Sequence, residues 1–363
     1  MKITIIAGAR PNFMKIAPLI RAIKNAESLG KNISYRLVYT GNQNDESLEP
    51  SLFSDLMMSK PDAYLNVSSS DFYQKTADII TAFAMELDSN PTNAVIVVDD
   101  FTPTMACSLV AKKKGLKVVH LVAGIRSFEM DRPKELNRMI IDGLSDVLFT
   151  AGIDANRNLS NTGTDIQKIF FVGNILIDTL RFSLKAAKRP VFFDIAGIKE
   201  KKYVLLTLNR RMLLNNEKKL KDIIETILDD TDNTIVAPLH FYVKHKLEML
   251  DIKSDRLVVI PPQPYLSFLY CIKNASYIIT DSGNIAEEAT FLNIPCITLN
   301  NYTEHLETVT NGTNVLVGEN VTLLHKAIED IRNNNIKEAT LPERWDGRTA
   351  ERIVQILLEE CID

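Results

Sequence analysis

Short β-branched runs recur along this chain with longer helical patterns between them, and that rhythm restricts the fold more than any other feature. Residues 3–7, 35–39, 94–98, 117–121, 147–150 and 169–172 read as strands that are apolar on both faces. A strand without a polar face is buried on both sides, which is the condition of a parallel sheet covered by helices. Stretches such as 12–26 and 104–114 supply those helices. The rhythm then repeats over 203–207, 234–238, 257–260, 277–280, 296–299 and 315–317. The expected fold class is therefore α/β, with two Rossmann-like doubly wound domains. The first is expected over 1–172, with a last helix at about 346–363 packing back onto it, and the second over 173–345. Lys, Pro and Gly accumulate over 173–202, where the join is expected. Such domains bind ligands at the carboxyl ends of their strands, so the ligand is expected in a cleft there.

One turn stands out within this frame. Asp281-Ser282-Gly283-Asn284-Ile285-Ala286-Glu287-Glu288 directly follows the apolar run 275–280. A buried strand that stops at Asp-Ser-Gly and restarts as a helix leaves backbone N–H groups at the positive end of the helix dipole, which makes a phosphate seat. Glu287 and Glu288 follow about one turn later, where a carboxylate accepts from ribose hydroxyls. Together these parts suggest a nucleoside diphosphate. An ordinary helix capped by Asp281 or Ser282 fits the same residues, with the glutamates complementing the dipole.

Charge and cysteine usage remove several classes. The 363 residues carry 42 basic and 46 acidic side chains, a net charge of −4, so no overall positive field draws in nucleic acid or an acidic membrane surface. Cys107, Cys271, Cys296 and Cys361 form no CxxC pair, and neither a disulfide nor a metal site is expected. The opening segment is too short for a signal sequence and no apolar run reaches membrane-spanning length, so a cytoplasmic protein is expected. The first loop, Gly8-Ala9-Arg10-Pro11, lacks G-x-G-x-x-G, and no cofactor is expected.

Six ordered motifs carry a family resemblance that runs from residue 1 to about 320. They are Gly8-Ala9-Arg10-Pro11-Asn12-Phe13-Met14-Lys15-Ile16-Ala17-Pro18, Ala123-Gly124-Ile125-Arg126-Ser127-Phe128, Pro133-Lys134-Glu135-Leu136-Asn137-Arg138, Val172-Gly173-Asn174, Tyr265-Leu266-Ser267-Phe268 and the Asp281 octet. In order and spacing the chain resembles the non-hydrolysing UDP-N-acetylglucosamine 2-epimerases. The resemblance implies a glycosyltransferase-B type fold, a UDP-GlcNAc or related UDP-sugar ligand, and a homodimer. It places Arg10 and Lys15 near the diphosphate, with Arg126 and Arg210 in the same substrate-binding set. Phe268 is implied beside uracil, Ser282, Gly283 and Asn284 at the phosphates, and Glu288 on the ribose; His240 also matches a family histidine. Asn284 replaces a family glycine. Thr40-Gly41-Asn42-Gln43 stands where the family has a Thr-Gly-Gln-His segment of a regulatory site, so activation of that type is expected to be weakened.

The reactive positions match less well. The family reaction removes the proton on C2 and expels UDP from C1, then adds UDP back with C2 inverted, which calls for acid and base groups and support for the departing diphosphate. Asp100 stands at the family's Gly-Asp acid. Val122 replaces a glutamate, Lys134 replaces the first of two glutamates and leaves Glu135, Asn209 replaces a histidine, and His305 replaces an arginine. Loss of a general acid or base costs ~10²–10⁴ in rate, and loss of charge support ~10²–10³. Three readings follow. The chain is a 2-epimerase that works through Asp99, Asp100, Glu135 and His305, or a transferase or hydrolase acting at C1. The third is a UDP-sugar-binding homologue without turnover, paired with an intact epimerase.

Overall fold

A computed structural model describes residues 1–360. The chain divides by contact into two units, Met1–Phe182 with the segment from Glu343 onward, and Ser183–Pro342.

In the first unit seven parallel strands lie in the order β3-β2-β1-β4-β5-β6-β7. They are β1 (Lys2–Ala7), β2 (Ser34–Tyr39), β3 (Ala63–Tyr64), β4 (Ala94–Val98), β5 (Lys117–Leu121), β6 (Val147–Thr150) and β7 (Ile169–Phe171). Every residue of β4 is buried, as its unbroken Ala-Val-Ile-Val-Val run requires. In the second unit six strands lie in the order β10-β9-β8-β11-β12-β13. These are β8 (Tyr203–Thr207), β9 (Thr234–Pro238), β10 (Leu257–Ile260), β11 (Tyr277–Thr280), β12 (Cys296–Thr298) and β13 (Asn314–Leu316). All the pairings are parallel. Each sheet therefore reverses strand order once, at β1/β4 and at β8/β11, and the loops leaving these strands open the crevice where doubly wound sheets bind ligands.

Several expectations need correction. Strand β3 has no sequence signal, being two residues long at the sheet edge. Val172, Leu299 and Val317 fall just outside β7, β12 and β13. The helices Arg10–Ser28 and Thr102–Lys113 start two residues earlier than their apolar periodicity, because Pro11 and Pro103 sit in their first turns, where no N–H is needed. The first unit extends to Phe182, not residue 172, because the helix Ile175–Ser183 is tied into it. Thr179 Oγ1 donates to Met14 O at 2.5 Å, and Asp178 accepts from Thr349 N and Ala350 N at 3.1 and 2.8 Å. Those two amides open the helix Thr349–Glu360, which packs against the helix Arg10–Ser28. Cys107, Cys271 and Cys296 are buried thiols; Cys361 and the end of the expected last helix lie outside the described residues. Among the described residues no helix is long and apolar enough to cross a membrane.

Candidate functional site

At the first sheet's switch point the loop after β1 meets the loop after β4. Asn12, fully buried, accepts from Gly8 N and Ala9 N at 2.8 and 3.0 Å and donates to Asp99 Oδ2 at 2.8 Å. Lys15 Nζ reaches Asp99 Oδ1 at 2.5 Å. Lys15, expected beside a diphosphate, is buried and paired with that carboxylate. Arg10 pairs with Glu49, whose carboxyl is held below the usual range because the guanidinium outweighs the opposing effect of burial.

Asp100 is buried at the same turn. Its Oδ2 accepts from Arg138 Nε at 2.8 Å and faces Arg138 Nη2 at 2.7 Å. Lys134 Nζ lies 3.1 Å from Oδ1, over the Phe101 ring, and Asn137 donates to the Asp100 carbonyl at 2.9 Å. Lys134 is therefore half-exposed but engaged, not a purely solvated lysine. Glu135 Oε2 accepts from Ser127 N and Ser127 Oγ at 2.8 and 2.9 Å, and Oε1 accepts from Phe128 N at 3.2 Å. Burial pushes its carboxyl up, but these donors and Arg138 prevail and hold it below the ordinary range. Glu135, expected as a reactive acid, clasps the 127–128 loop.

Arg126 Nη1 meets Asp142 Oδ2 at 2.6 Å and donates to Ile125 O. Asp142 also accepts from His120 Nδ1 at 2.7 Å; despite burial, this contact and Arg126 keep its carboxyl below the usual range. Val122 sits at φ +73°, a left-handed conformation that costs a β-branched residue, with its side chain buried. Gly124 follows at φ +80°, where an added Cβ would lie 2.5 Å from Ala155 O.

At the second sheet's switch point Thr207 and Thr280 hydroxyls pair at 2.6 Å across the ends of β8 and β11. Asp281 Oδ2 accepts from Asn209 N and Arg210 N at 2.6 and 2.7 Å, and Arg210 Nε donates to Asp281 O at 2.9 Å. Burial raises the Asp281 carboxyl above its ordinary value against the pull of those two N–H groups. Ser282 occupies the N-cap of the helix Gly283–Phe291 but makes no side-chain cap bond. The expected cap by Asp281 is thus replaced: its carboxylate turns to the neighbouring loop, and the helix start keeps no side-chain cap from Asp281 or Ser282. Apart from its chain neighbours and the helix's own backbone, no heavy atom lies within 4 Å of where a Cβ on Gly283 would stand.

Arg210 lies 5.4 Å over the Tyr302 ring, and Asn300 Nδ2 donates to Asp281 O at 3.0 Å. The Tyr242 hydroxyl bonds Asn209 Oδ1, and its ring stacks on the exposed His240 at 5.7 Å. Phe268 is half-buried against the second unit's core, and Asn284 is half-exposed on the first turn of its helix. Glu288 is buried; desolvation and the adjacent Glu287 push its carboxyl up to about 8, against a Tyr265 hydroxyl bond. A carboxyl with that value both donates and accepts near neutral pH. His305, expected to share in proton transfer, is buried with Nε2 3.6 Å from Glu287 Oε2.

The structure brings Lys15 to the Asp99 loop, gathers Asp100, Lys134, Glu135 and Arg138, and joins Arg210 to the Asp281 turn. Asn12, His120, Arg138 and Asp142 organise these loops, and sequence reasoning assigned none of them a role; Asp281, read there as a helix cap, holds the neighbouring loop. Asn12 had the one readable signal, an asparagine in the first turn of a helix, where a side-chain oxygen competes for backbone donors.

A family model described as UDP-N-acetylglucosamine 2-epimerase matches residues 26–358. A UDP-N-acetylglucosamine 2-epimerase of Methanocaldococcus jannaschii is 35% identical, over 98% of this chain and 99% of its own length. A UDP-2,3-diacetamido-2,3-dideoxy-D-glucuronate 2-epimerase of Pseudomonas aeruginosa is 33% identical over 88% of each chain. The crystal structure of the M. jannaschii enzyme in complex with UDP-GlcNAc and UDP superposes with a TM-score of 0.86 at 34% identity, covering 99% of this chain and 100% of that one. With both Rossmann-like sheets in place and relatives matched along nearly the whole length, the chain belongs to the UDP-N-acetylglucosamine 2-epimerase family.

Proposed function

We propose that the protein binds a UDP-2-acetamido sugar without carrying out the family's proton transfer at C2. The observation that carries the binding half is the turn at the end of β11. The Asp281 carboxylate is committed to the Asn209 and Arg210 amides, and the helix start it precedes has no side-chain cap. Backbone N–H groups at a helix start, with the dipole behind them, receive phosphate oxygens. In this reading Ser282, Gly283 and Asn284 meet the diphosphate with Arg210, Glu288 takes the ribose hydroxyls, and Phe268 lies against uracil.

The chemical half rests on the first sheet. Both carboxylate oxygens of Asp100 are engaged by Arg138 and Lys134, and Val122 offers only an apolar side chain at the next loop. A base for C2 needs an accessible, proton-accepting oxygen. These observations favour a binding subunit, regulatory or paired with an intact family member, over a working epimerase.

Ser282→Asp tests the binding half. Aspartate is a good N-cap, so the fold is kept, while its charge opposes phosphate at the same place. Calorimetric titration with UDP is expected to show affinity at least ~10-fold weaker, about 1.4 kcal/mol, with an unchanged or higher melting temperature. Equal affinity in variant and parent would place the diphosphate elsewhere.

A further inference from the structure

The turn Asp99–Asp100 at the β1/β4 switch point is held in an uncommon backbone conformation, and its fastening includes the buried His120. Asp99 sits at φ +59°. Helix Arg10–Ser28 holds its carboxylate through Asn12 and Lys15. Its carbonyl oxygen faces His120 Nε2 at 3.1 Å, from the adjacent strand β5. The other ring nitrogen, Nδ1, faces Asp142 Oδ1 at 2.7 Å.

A neutral imidazole has one N–H and one lone pair. A carbonyl oxygen only accepts, and so does an ionised carboxylate. With acceptors at both nitrogens, a neutral ring would direct a lone pair at one of them. Only the imidazolium donates to both.

We infer that His120 is a buried imidazolium and acts as a positioning residue, pinning the Asp99 carbonyl and so the turn that carries Asp100. The ring is 1% exposed, and a charge so buried must be paired. Asp142 is that pair, from the helix Pro133–Leu144. Arg126, on the loop after β5, meets the other oxygen of Asp142 at 2.6 Å, and Lys15 meets Asp99 from the far side. Cations and carboxylates thus alternate along Lys15, Asp99, His120, Asp142 and Arg126. The consequence for ligand rests on the reading given under Proposed function; the state of the ring does not.

The test uses the full chain labelled uniformly with ¹⁵N. Long-range proton–nitrogen correlation reports the charge and tautomer of each ring, and the His120 signal is identified by its loss in His120→Gln. Should that variant fail to fold, the exposed His240, His245 and His325 and the buried His305 are replaced singly, and His120 is the signal that survives all four. The expected result is two protonated ring nitrogens at pH 7. The Asp99 and Asp100 amide signals, which report the pinned turn, are expected to move in His120→Gln. A single-N–H pattern at pH 7, or Asp99 and Asp100 amides unchanged in that variant, would overturn the inference. Added UDP-GlcNAc reports separately: signals that never move count against the functional reading alone.

Discussion

Val122 condenses the argument at the residue scale. Its position carries a glutamate in the family that the sequence resembles, and here it is a buried valine at φ +73°. A left-handed β-branched residue stores about 1–2 kcal/mol of strain. Removing its side chain should recover part of what is lost with the buried methyls, which are worth ~1.5–3 kcal/mol. Val122→Gly is accordingly expected to cost less than about 1.5 kcal/mol in urea unfolding. Val119→Gly, from the fully buried middle of β5, should cost about 3 kcal/mol or more. Equal costs would mean that residue 122 is unstrained. The identity of Val122 was legible in the sequence, but its backbone was not, since nothing in His120-Leu121-Val122-Ala123 separates a strand's continuation from a left-handed turn. Lys15 and Asp99 show the same limit: both belong to readable loops, yet their ion pair joins residues 84 apart in sequence. Motif reading put Lys15 beside a diphosphate, and the pairing with Asp99 was not visible to it.

At the scale of elements, the helix Thr349–Glu360 starts on the side chain of a residue from another helix. Asp178 accepts both of its first amides, and burial lifts the Asp178 carboxyl to about 6, against those two bonds and with Asp346 adding to the rise. A carboxyl whose folded-state value is raised binds its proton more tightly when folded. Its contribution to stability is therefore complete below its unfolded value of 3.8 and falls away as pH rises to about 6. Unfolding measured between pH 4 and 7 should show the stability of the parent relative to Asp178→Asn declining across this window, by up to about 3 kcal/mol, then levelling off. A difference that stays flat would mean that Asp178 is not raised. Strands buried on both faces were readable as elements because an unbroken apolar run leaves few alternatives. The edge strand Ala63–Tyr64 was not, because two residues carry no period. The boundary after Phe182 also escaped, since the contacts of Thr179 and Asp178 decide it, not composition.

On the scale of the whole molecule, the chain has the family's two sheets, and the proposed reading is that it keeps the nucleotide turn while its proton-transfer positions have changed. The Asp281 turn was legible as a strand-to-helix turn because strand, Asp-Ser-Gly and helix are contiguous. What the carboxylate does there was not, because Asn209 and Arg210 approach from 72 and 71 residues away. Such a molecule should bind a UDP-sugar and leave its C2 proton in place. Proton NMR of UDP-GlcNAc incubated with the protein in D₂O reads both properties at once. The account predicts saturable ligand line-broadening, with the C2–H signal undiminished and no manno isomer appearing. Deuterium entering C2 would contradict it and mean that a working base persists despite Val122, Lys134 and Asn209.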